Sequence, residues 1–313
     1  MEYIKNTLNF ETKGPSVITL GKFDGVHIGH KKLINRILEI GKRDGLLTVI
    51  FTFDASPQVR LGYRKPQTLL SNEERRQRIE SLGVDTLIEY PFTLQVRNME
   101  PEDFITEILV NKLHVKAVVV GSDFHFGKNR RGNSIMLKQM GRRYGFKVEV
   151  LNKVMDGTRE VSSTYIREEL LEGHMEKVNR LLGYPYMVIG DIVHGHQLGR
   201  TIGVPTINQI PESGKLLPPR GVYTSVTWID GQKFYGVSNI GIKPTVQEKF
   251  VGVETYLFHC DLDLYGKEAC VQLFHYQRPE AKFDSVEELR IQMNKDKELG
   301  EKYFGIDTLD RKA

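Results

Sequence analysis

Ten residues, 21 to 30, constrain this chain more than any other stretch. They read Gly-Lys-Phe-Asp-Gly-Val-His-Ile-Gly-His, so three glycines, an aspartate and two histidines lie close together. Residues 17–20 before them form an apolar run of strand type, and apolar residues recur at helical spacing from Lys31 onward. We therefore predict a turn that connects a strand to a helix.

Such a turn is suited to binding an anion. Glycine permits a positive φ and a close approach of the backbone, and the first amides of the following helix have no partner within it. His27 and His30 are three residues apart, so both rings face one ligand if the helix has already begun. Two alternatives stay open: a glycine-rich turn that only carries two polar histidines, and a zinc site, for which further ligands are not evident nearby.

Strand-like and helix-like runs alternate between residues 15 and 155. The strands are predicted at 17–20, 46–53, 86–89, 117–120 and 147–150, and the helices near 31–42, 71–82, 101–112 and 134–144. This alternation favours a parallel sheet covered on both faces, with ligands beyond the carboxyl ends of the strands. Residues 52–57 and 120–127 lie at such ends, and the second segment brings Asp123, Phe124 and Phe126 to the same edge. An ordinary surface loop with inward-packed aromatic rings is the alternative there.

Hydroxyl residues at 162–164 precede a helical run predicted from Glu168. Capping of the helix explains the hydroxyls. It does not explain Arg167, because a cation in the first turn opposes the helix dipole unless an anion is bound there. The first half contains no dinucleotide-binding glycine fingerprint and no Walker-type lysine, which argues against hydride chemistry and P-loop hydrolysis.

Near residue 183 the pattern changes to short alternating strands. An Asp230-Gly231 turn joins strands at 222–229 and 232–238, and further strands are predicted at 253–260 and 268–276. Short antiparallel strands with glycine turns suggest a small barrel, because closure removes exposed edges. A final helix is predicted after Ser285, which forms a capping box with Glu288.

Residues 199–208 form a second segment suited to phosphate chemistry. They read Gly-Arg-Thr-Ile-Gly-Val-Pro-Thr-Ile-Asn, and their glycine amides suit a phosphate. Thr206 and Asn208 offer neutral oxygens of the kind that Mg²⁺ accepts when phosphates bridge it. A proline-containing turn capped by Thr and Asn is the alternative.

Composition limits the class of protein. With 313 residues we expect roughly two domains, and the net charge of +4 is too small to indicate nucleic acid as a partner. Two cysteines cannot form a secreted disulfide framework, and no targeting or membrane-spanning segment is evident. We expect a cytoplasmic protein without a membrane partner.

Taken together, the motifs resemble the prokaryotic bifunctional riboflavin kinase and FAD synthetase family. The resemblance rests on the segments 21–30, 52–54, 121–127, 162–167, 199–208, 239–241, 253–255, 263–266 and 278–280. Two positions depart from the family pattern: Ala55-Ser56 replaces a proline and a histidine, and Ile207 replaces an alanine. The first affects a possible substrate contact, and the bulk of Ile207 would alter the nucleotide pocket if it packs against ATP.

The resemblance implies an α/β plus β architecture. A Rossmann-like nucleotidyltransferase domain with a parallel sheet would span residues 1–182, and an antiparallel β-barrel riboflavin kinase domain with a terminal helix would span 183–313. It also implies two activities, phosphorylation of riboflavin to FMN and adenylyl transfer from ATP to FMN, with Mg²⁺ accompanying ATP. Riboflavin, FMN and ATP would be the partners, and no oligomeric state is predicted.

Roles for individual residues follow from the same resemblance. In adenylyl transfer His27 and His30 would hold the triphosphate, Arg167 would bind the departing pyrophosphate, and Glu254 would be the general base of the kinase. The implied ATP and phosphate contacts are Gly21, Phe23, Gly25, Gly29, Ser163, Thr164, Gly203 and Thr206. The implied flavin contacts are Asp123, Phe124, Phe126, Asn239 and Arg278, and the implied metal contacts are Thr206 and Asn208.

Two other functions stay open on the sequence. One is a different nucleotidyltransferase of the His-x-Gly-His group, such as a pantetheine-phosphate adenylyltransferase, with an accessory barrel. The other is a flavin or nucleotide sensor without turnover. The kinase-type segment at 199–208 argues against the first, and the retention of both transition-state and base residues argues against the second.

Overall fold

A computed structural model describes residues 1–54, 67–194, 205–244 and 249–306. The chain divides between Ser163 and Thr164 into two compact units.

The first unit is built on a six-stranded parallel sheet with the strand order β1-β4-β3-β2-β5-β8. Its strands are β1 (Glu2–Lys5), β2 (Ser16–Leu20), β3 (Leu47–Phe53), β4 (Thr86–Tyr90), β5 (Val115–Gly121) and β8 (Lys147–Leu151). The five predicted strands are all present. Sequence reasoning missed β1, which is a four-residue edge strand without an apolar run and pairs with β4.

Strand order explains where a ligand site can form in this unit. The chain runs from the central strand β2 toward β3 and β4 on one side and later returns to β5 and β8 on the other. In such open sheets the crevice lies where the order reverses, beyond the carboxyl ends of the strands. The loops after β2 and β5 flank that point, and they are the segments 21–27 and 122–124 that carry the predicted motifs.

Helices lie at the four predicted places, and a further short helix at 94–97 was not predicted. They are α1 (Ile28–Asp44), α2 (Asn72–Glu80), α3 (Leu94–Arg97), α4 (Pro101–Asp103), which continues as a π-helix over Phe104–Lys112, and α5 (Ser134–Tyr144). Ser71 and Glu74 form a capping box at the start of α2, and α1 ends at Gly45 in the left-handed conformation. Short pairs β6 (His125–Phe126) with β7 (Gly132–Asn133) and β9 (Met155–Asp156) with β10 (Arg159–Glu160) complete the unit.

The second unit begins with the helices α6 (Ser163–Leu171), whose first residue belongs to the first unit, and α7 (Met175–Leu182). A closed antiparallel barrel follows in the order β11-β12-β15-β14-β13-β16. Its strands are β11 (Tyr186–Val193), β12 (Thr206–Gln209), β13 (Gly221–Ile229), β14 (Gln232–Pro244), β15 (Lys249–Leu257) and β16 (Glu268–Pro279). The predicted barrel is confirmed, although β11 and β12 were not predicted and β15 ends at Leu257 rather than Cys260.

Two local predictions in the barrel unit have different outcomes. Asp230 and Gly231 both have positive φ, 48° and 77°, as a type I′ turn requires. The terminal helix α8 (Val286–Phe304) begins at Ser285, whose hydroxyl accepts a hydrogen bond from the Glu288 amide. The predicted capping box is only half formed, because the Glu288 carboxylate accepts from the amide of Asp284 instead.

Within the described ranges, no helix is both long and apolar enough to cross a membrane.

Candidate active sites

The turn after β2 places the two predicted histidines against each other. His27 is the N-cap of α1, and its Nδ1 accepts a hydrogen bond from the His30 amide at 3.4 Å. The two rings are stacked, with centroids 3.7 Å apart and planes inclined by 22°. The ring of Phe23 lies 5.0 Å from that of His30. The structure therefore brings together His27, His30 and Phe23 at the start of the helix.

Burial keeps both imidazoles neutral at pH 7. It lowers the pKa of His27 to about 4, and burial together with the neighbouring His27 lowers the pKa of His30 well below its ordinary value. His30 Nδ1 is buried and makes no hydrogen bond to any residue that the structure describes. A buried polar atom of this kind calls for a partner, which a bound ligand or water can supply.

The turn has an unusual backbone. Gly25 has a φ of 83°, and the non-glycine residues Phe23 and Val26 have φ values of 48° and 36°. Gly29 lies against the His27 ring, since a Cβ there would sit 3.1 Å from its Nδ1 and Cε1. A Cβ on Gly21 would contact the Phe23 ring at 3.3 Å. The predicted glycines therefore allow the turn and keep its rings close to the backbone.

Asp24 anchors the turn, a role that sequence reasoning missed. It is 9% exposed, and its Oδ1 accepts hydrogen bonds from the amides of Leu69 at 2.8 Å and Leu70 at 3.4 Å. Its backbone carbonyl accepts from the Ser163 hydroxyl at 2.8 Å. These partners are distant in the chain, so no local pattern names them. The only signal in the sequence is an acidic residue between the apolar residues Phe23 and Val26.

The hydroxyl-rich motif starts a helix earlier than predicted. Helix α6 begins at Ser163, not at Glu168, and therefore Arg167 is in its second turn. The helix dipole acts mainly within the first turn, so the argument that Arg167 opposes the dipole is wrong. Thr164 is exposed and Arg167 is partly buried, and both follow Ser163 within the second unit.

Of the three predicted flavin contacts after β5, one side chain is exposed and two are packed. Asp123 is exposed and forms an ion pair with Lys153 at 3.0 Å. Phe126 is 8% exposed and contacts Phe104, and Phe124 stacks on Phe126 with ring centroids 5.6 Å apart. The aromatic rings thus belong to the core of the unit, and the carboxylate of Asp123 is the polar group at the edge of the sheet.

The predicted kinase residues share one face of the barrel wall. In the strand register Glu254 of β15 lies between Asn208 of β12 and Asn239 of β14. Thr206, two residues before Asn208, points to the same side and its hydroxyl donates to Glu254 Oε1 at 2.7 Å. These four side chains are partly exposed, whereas their neighbours Ile207, Thr255 and Ser238 are buried on the opposite, inner face.

Two further predicted residues have structural partners. Arg278 makes a double hydrogen bond to the buried Asp296 of α8, with Nε–Oδ1 at 2.8 Å and Nη2–Oδ2 at 2.6 Å. Ile207 packs in the barrel core with Ile192 and Leu257, and it also lines a small cleft beside Thr206. The bulk of Ile207 is thus accommodated largely within the barrel. Gly203, Ala55 and Ser56 lie outside the described residues.

No group of three or more His, Cys, Asp or Glu side chains in the described parts of the chain is placed to hold a metal ion. The donors of Thr206 and Asn208, a hydroxyl and an amide oxygen, fit a Mg²⁺ ion whose other ligands come from phosphates.

Comparisons with known proteins match both halves of the chain. A family described as FAD synthetase matches residues 9–165, and a family described as riboflavin kinase matches residues 182–304. Bifunctional riboflavin kinase/FMN adenylyltransferases from Buchnera aphidicola of Schizaphis graminum and from Escherichia coli are 36% and 34% identical to it. The alignments cover 93% of this chain in both cases, and 95% and 93% of the relatives. The chain belongs to this family.

A solved structure supports the fold of this chain. A crystal structure of a protein from Streptococcus pneumoniae, described as a macrolide-efflux protein, matches with a TM-score of 0.85 and 30% identity. The match covers 95% of this chain and 97% of that one. The predicted family and fold class are confirmed, and the order of the two matched families confirms the predicted order of the two activities. The roles of individual residues stay predictions.

Proposed function

We propose that this chain phosphorylates riboflavin to FMN with its barrel domain and converts FMN to FAD with its parallel-sheet domain. The main support is that one chain matches both families, and each match covers a candidate site. We assign residues 1–182 to adenylyl transfer and 183–313 to the kinase, as the sequence predicts. The prediction that the protein acts in the cytoplasm is kept with them.

Adenylyl transfer depends on the positioning of FMN and ATP, and the protein need not supply a covalent nucleophile. A phosphate oxygen of FMN attacks the α-phosphorus of ATP, the new P–O bond forms, and the bond to pyrophosphate breaks. The stacked rings of His27 and His30 are suited to hold the triphosphate, because an approaching anion raises the low pKa of each ring. In this proposal Gly21, Gly25 and Gly29 let the backbone approach the nucleotide, and Arg167 with Ser163 and Thr164 binds pyrophosphate.

Riboflavin phosphorylation needs a base for an alcohol. Glu254 is suited to take the proton from the riboflavin 5′-hydroxyl as its oxygen attacks the γ-phosphorus of ATP and ADP departs. The Thr206 hydroxyl donates to Glu254 Oε1 at 2.7 Å and so helps to orient the carboxylate. Asn208 and Thr206 would hold Mg²⁺, which neutralises phosphate charge when bound. The remaining proposed contacts are Gly203 for phosphate, and Asn239, Arg278, Asp123, Phe124 and Phe126 for flavin.

The test is a pair of reactions with the purified full chain. One contains riboflavin and MgATP, and the other contains FMN and MgATP. Chromatography then separates the flavins, and coupled assays measure ADP and pyrophosphate. We expect ADP and FMN from the first reaction, with FAD and pyrophosphate following as the FMN is consumed, and FAD with pyrophosphate from the second. If neither FMN nor FAD is formed, the proposed function is wrong. If FAD is formed from added FMN but riboflavin is not phosphorylated, the barrel has only an accessory role.

A further inference from the structure

Arg75 is a buried cation that contacts residues 21–27, the histidine turn, through the carbonyl of Lys22. It lies in the first part of α2, and its side chain is 10% exposed. Its ion-pair partner is Glu89 of β4, whose side chain is 3% exposed. Hydrogen bonds from the other donors of a buried ion pair help to offset its desolvation, so the further contacts of Arg75 are informative.

Those contacts join the ends of two neighbouring strands. Arg75 Nη1 donates to the carbonyl oxygen of Lys22 at 3.2 Å, and Nη2 donates to that of Phe53 at 3.3 Å. Phe53 is the last residue of β3, and Lys22 is the second residue after β2, at the start of the histidine turn. One planar guanidinium therefore connects the carbonyl groups of both loops at the carboxyl edge of the sheet.

The guanidinium is itself held in place. The Glu89 carboxylate accepts from Nη2 of Arg75 and also from the hydroxyl of Tyr3 on the edge strand β1. Asn72 Oδ1 accepts from Arg75 Nη2 at 3.1 Å, while Asn72 Nδ2 donates to the carbonyl of Asp54 at 3.0 Å. The network thus spans β1, β4, the start of α2 and the loop after β3.

The turn needs such support because its backbone is strained. Phe23 and Val26 have positive φ without being glycine, and this conformation persists only where the surroundings hold it. Asp24 holds the turn through the amides of Leu69 and Leu70. Arg75 holds the carbonyl of Lys22, the residue before Phe23, together with the hydroxyl of Thr52. Phe23 lies between the anchored residues Lys22 and Asp24, and His27 lies between Asp24 and the start of α1, so the placement of both rings depends on the anchors.

We propose that Arg75 is a positioning residue for adenylyl transfer, which holds the Lys22 and Phe53 carbonyls and thereby the turn that carries His27. This inference rests on the proposed function, because it concerns the same reaction. Arg75 acts through the backbone and touches no substrate. Lysine cannot replace it, because a single ammonium on a flexible chain does not present two coplanar donors to two carbonyls.

The test uses the full chain with Arg75→Lys and Arg75→Ala. We expect kcat for FAD formation to fall by about 10²-fold, the size of effect seen when a supporting contact of a catalytic group is lost, with little change in KM. Riboflavin phosphorylation by the same preparations should equal that of the wild type. Arg43→Ala is the matched control, since Arg43 of α1 is an exposed arginine of the same unit that pairs with Asp44.

Two readouts separate positioning from general loss of structure. Hydrogen exchange at the amides of residues 21–30 should become faster in Arg75→Lys, while exchange in the strand Val115–Gly121 stays unchanged. Added guanidinium ion should partly restore FAD formation to Arg75→Ala. If wild type makes no FAD, the proposed function fails and the role of Arg75 in adenylyl transfer fails with it, while hydrogen exchange still shows whether Arg75 holds the turn. Unchanged kcat and exchange in Arg75→Lys overturn it, and so does equal loss of both activities.

Discussion

The residues of the two candidate sites lie on different kinds of structural element. In the parallel-sheet unit the residues lie in a turn, where strained backbone and close glycines bring His27 and His30 into a stack. In the barrel unit Thr206, Asn208, Glu254 and Asn239 lie on regular strands, and strand pairing alone brings them together. One site depends on local backbone geometry, and the other depends on register.

The two sites also differ in the charge that their side chains carry before a substrate binds. His27 is 6% exposed, and burial lowers the pKa of its imidazole to about 4, so the ring is neutral at pH 7. Glu254 is partly exposed, and a neighbouring hydroxyl orients its carboxylate. We infer that the histidine turn gains its charge on binding the substrate, whereas the barrel presents an acceptor before the substrate arrives. The predictions below test the two sites separately, since each variant should affect one activity.

The largest effect is expected for Glu254→Gln. The amide keeps the size of the side chain but cannot accept a proton, so riboflavin phosphorylation should fall by about 10²- to 10⁴-fold. Adenylylation of added FMN should be unchanged. Initial rates of ADP and pyrophosphate release measure the two activities. Glu268→Gln is the control, since Glu268 is an exposed barrel glutamate at the start of β16. Full kinase activity in Glu254→Gln would contradict the assignment of the base.

His30→Ala should have the next largest effect. Loss of a ring that stabilises charge on the phosphates should reduce FAD formation by about 10²- to 10³-fold, while FMN accumulates from riboflavin. Chromatography of the flavins at fixed times measures both. His114→Asn is the matched control, because His114 is a histidine of the same unit that pairs with Glu11 on the surface. Asparagine tolerates its positive φ of 46°. Parallel loss of FMN formation in His30→Ala would argue against separate sites.

The same contrast explains what could be predicted from the sequence. The stack of His27 and His30 follows from a motif of ten consecutive residues between a strand and a helix, so its signal is local. The row of Asn208, Glu254 and Asn239 depends on which residues face each other across strands, and no local pattern encodes that register. Glu254 could be named only through the resemblance to the family.

The supports of the histidine turn escaped prediction for the same reason. Asp24 bonds to amides 45 and 46 residues further along, and Arg75 reaches a carbonyl 53 residues before it. A buried ion pair such as Arg75 with Glu89 looks like two ordinary surface charges in the sequence. Helix starts are also uncertain where hydroxyls precede a helical run, which is why Arg167 was assigned to the wrong turn.

The stability of the parallel-sheet unit should fall in acid because of His27. Its pKa is about 4 in the folded chain and near 6.5 when unfolded, so between these values only the unfolded state binds the proton. The contribution is fully present above about pH 6.5 and is lost as the pH falls toward 4. It corresponds to about 3 kcal/mol in the free energy of unfolding.

Urea unfolding followed by circular dichroism between pH 7 and 4 measures this effect. Wild type should lose more stability than His27→Gln over this range, because glutamine does not titrate. Trp228, the only tryptophan, is in β13, so its fluorescence follows the barrel in the same samples. The barrel transition should be the same in both proteins at each pH. Equal pH profiles for wild type and His27→Gln in circular dichroism would contradict the neutral, buried ring.

The smallest predicted effect, from Gly29→Ala, tests whether the turn depends on fine placement of its rings. Gly29 is in α1, where alanine favours the helix by up to about 1 kcal/mol, so stability should not fall. The added Cβ would lie 3.1 Å from the His27 ring, which must move by a few tenths of an ångström. We expect FAD formation to fall by about tenfold, because in-line transfer is sensitive to small displacements, and FMN formation to stay constant. Gly14→Ala is the control, since a Cβ there lies 4.0 Å from Leu47 Cδ1. If Gly29→Ala matches wild type in FAD formation, adenylyl transfer tolerates movement of His27, and the contrast between a site set by turn geometry and one set by strand register no longer holds.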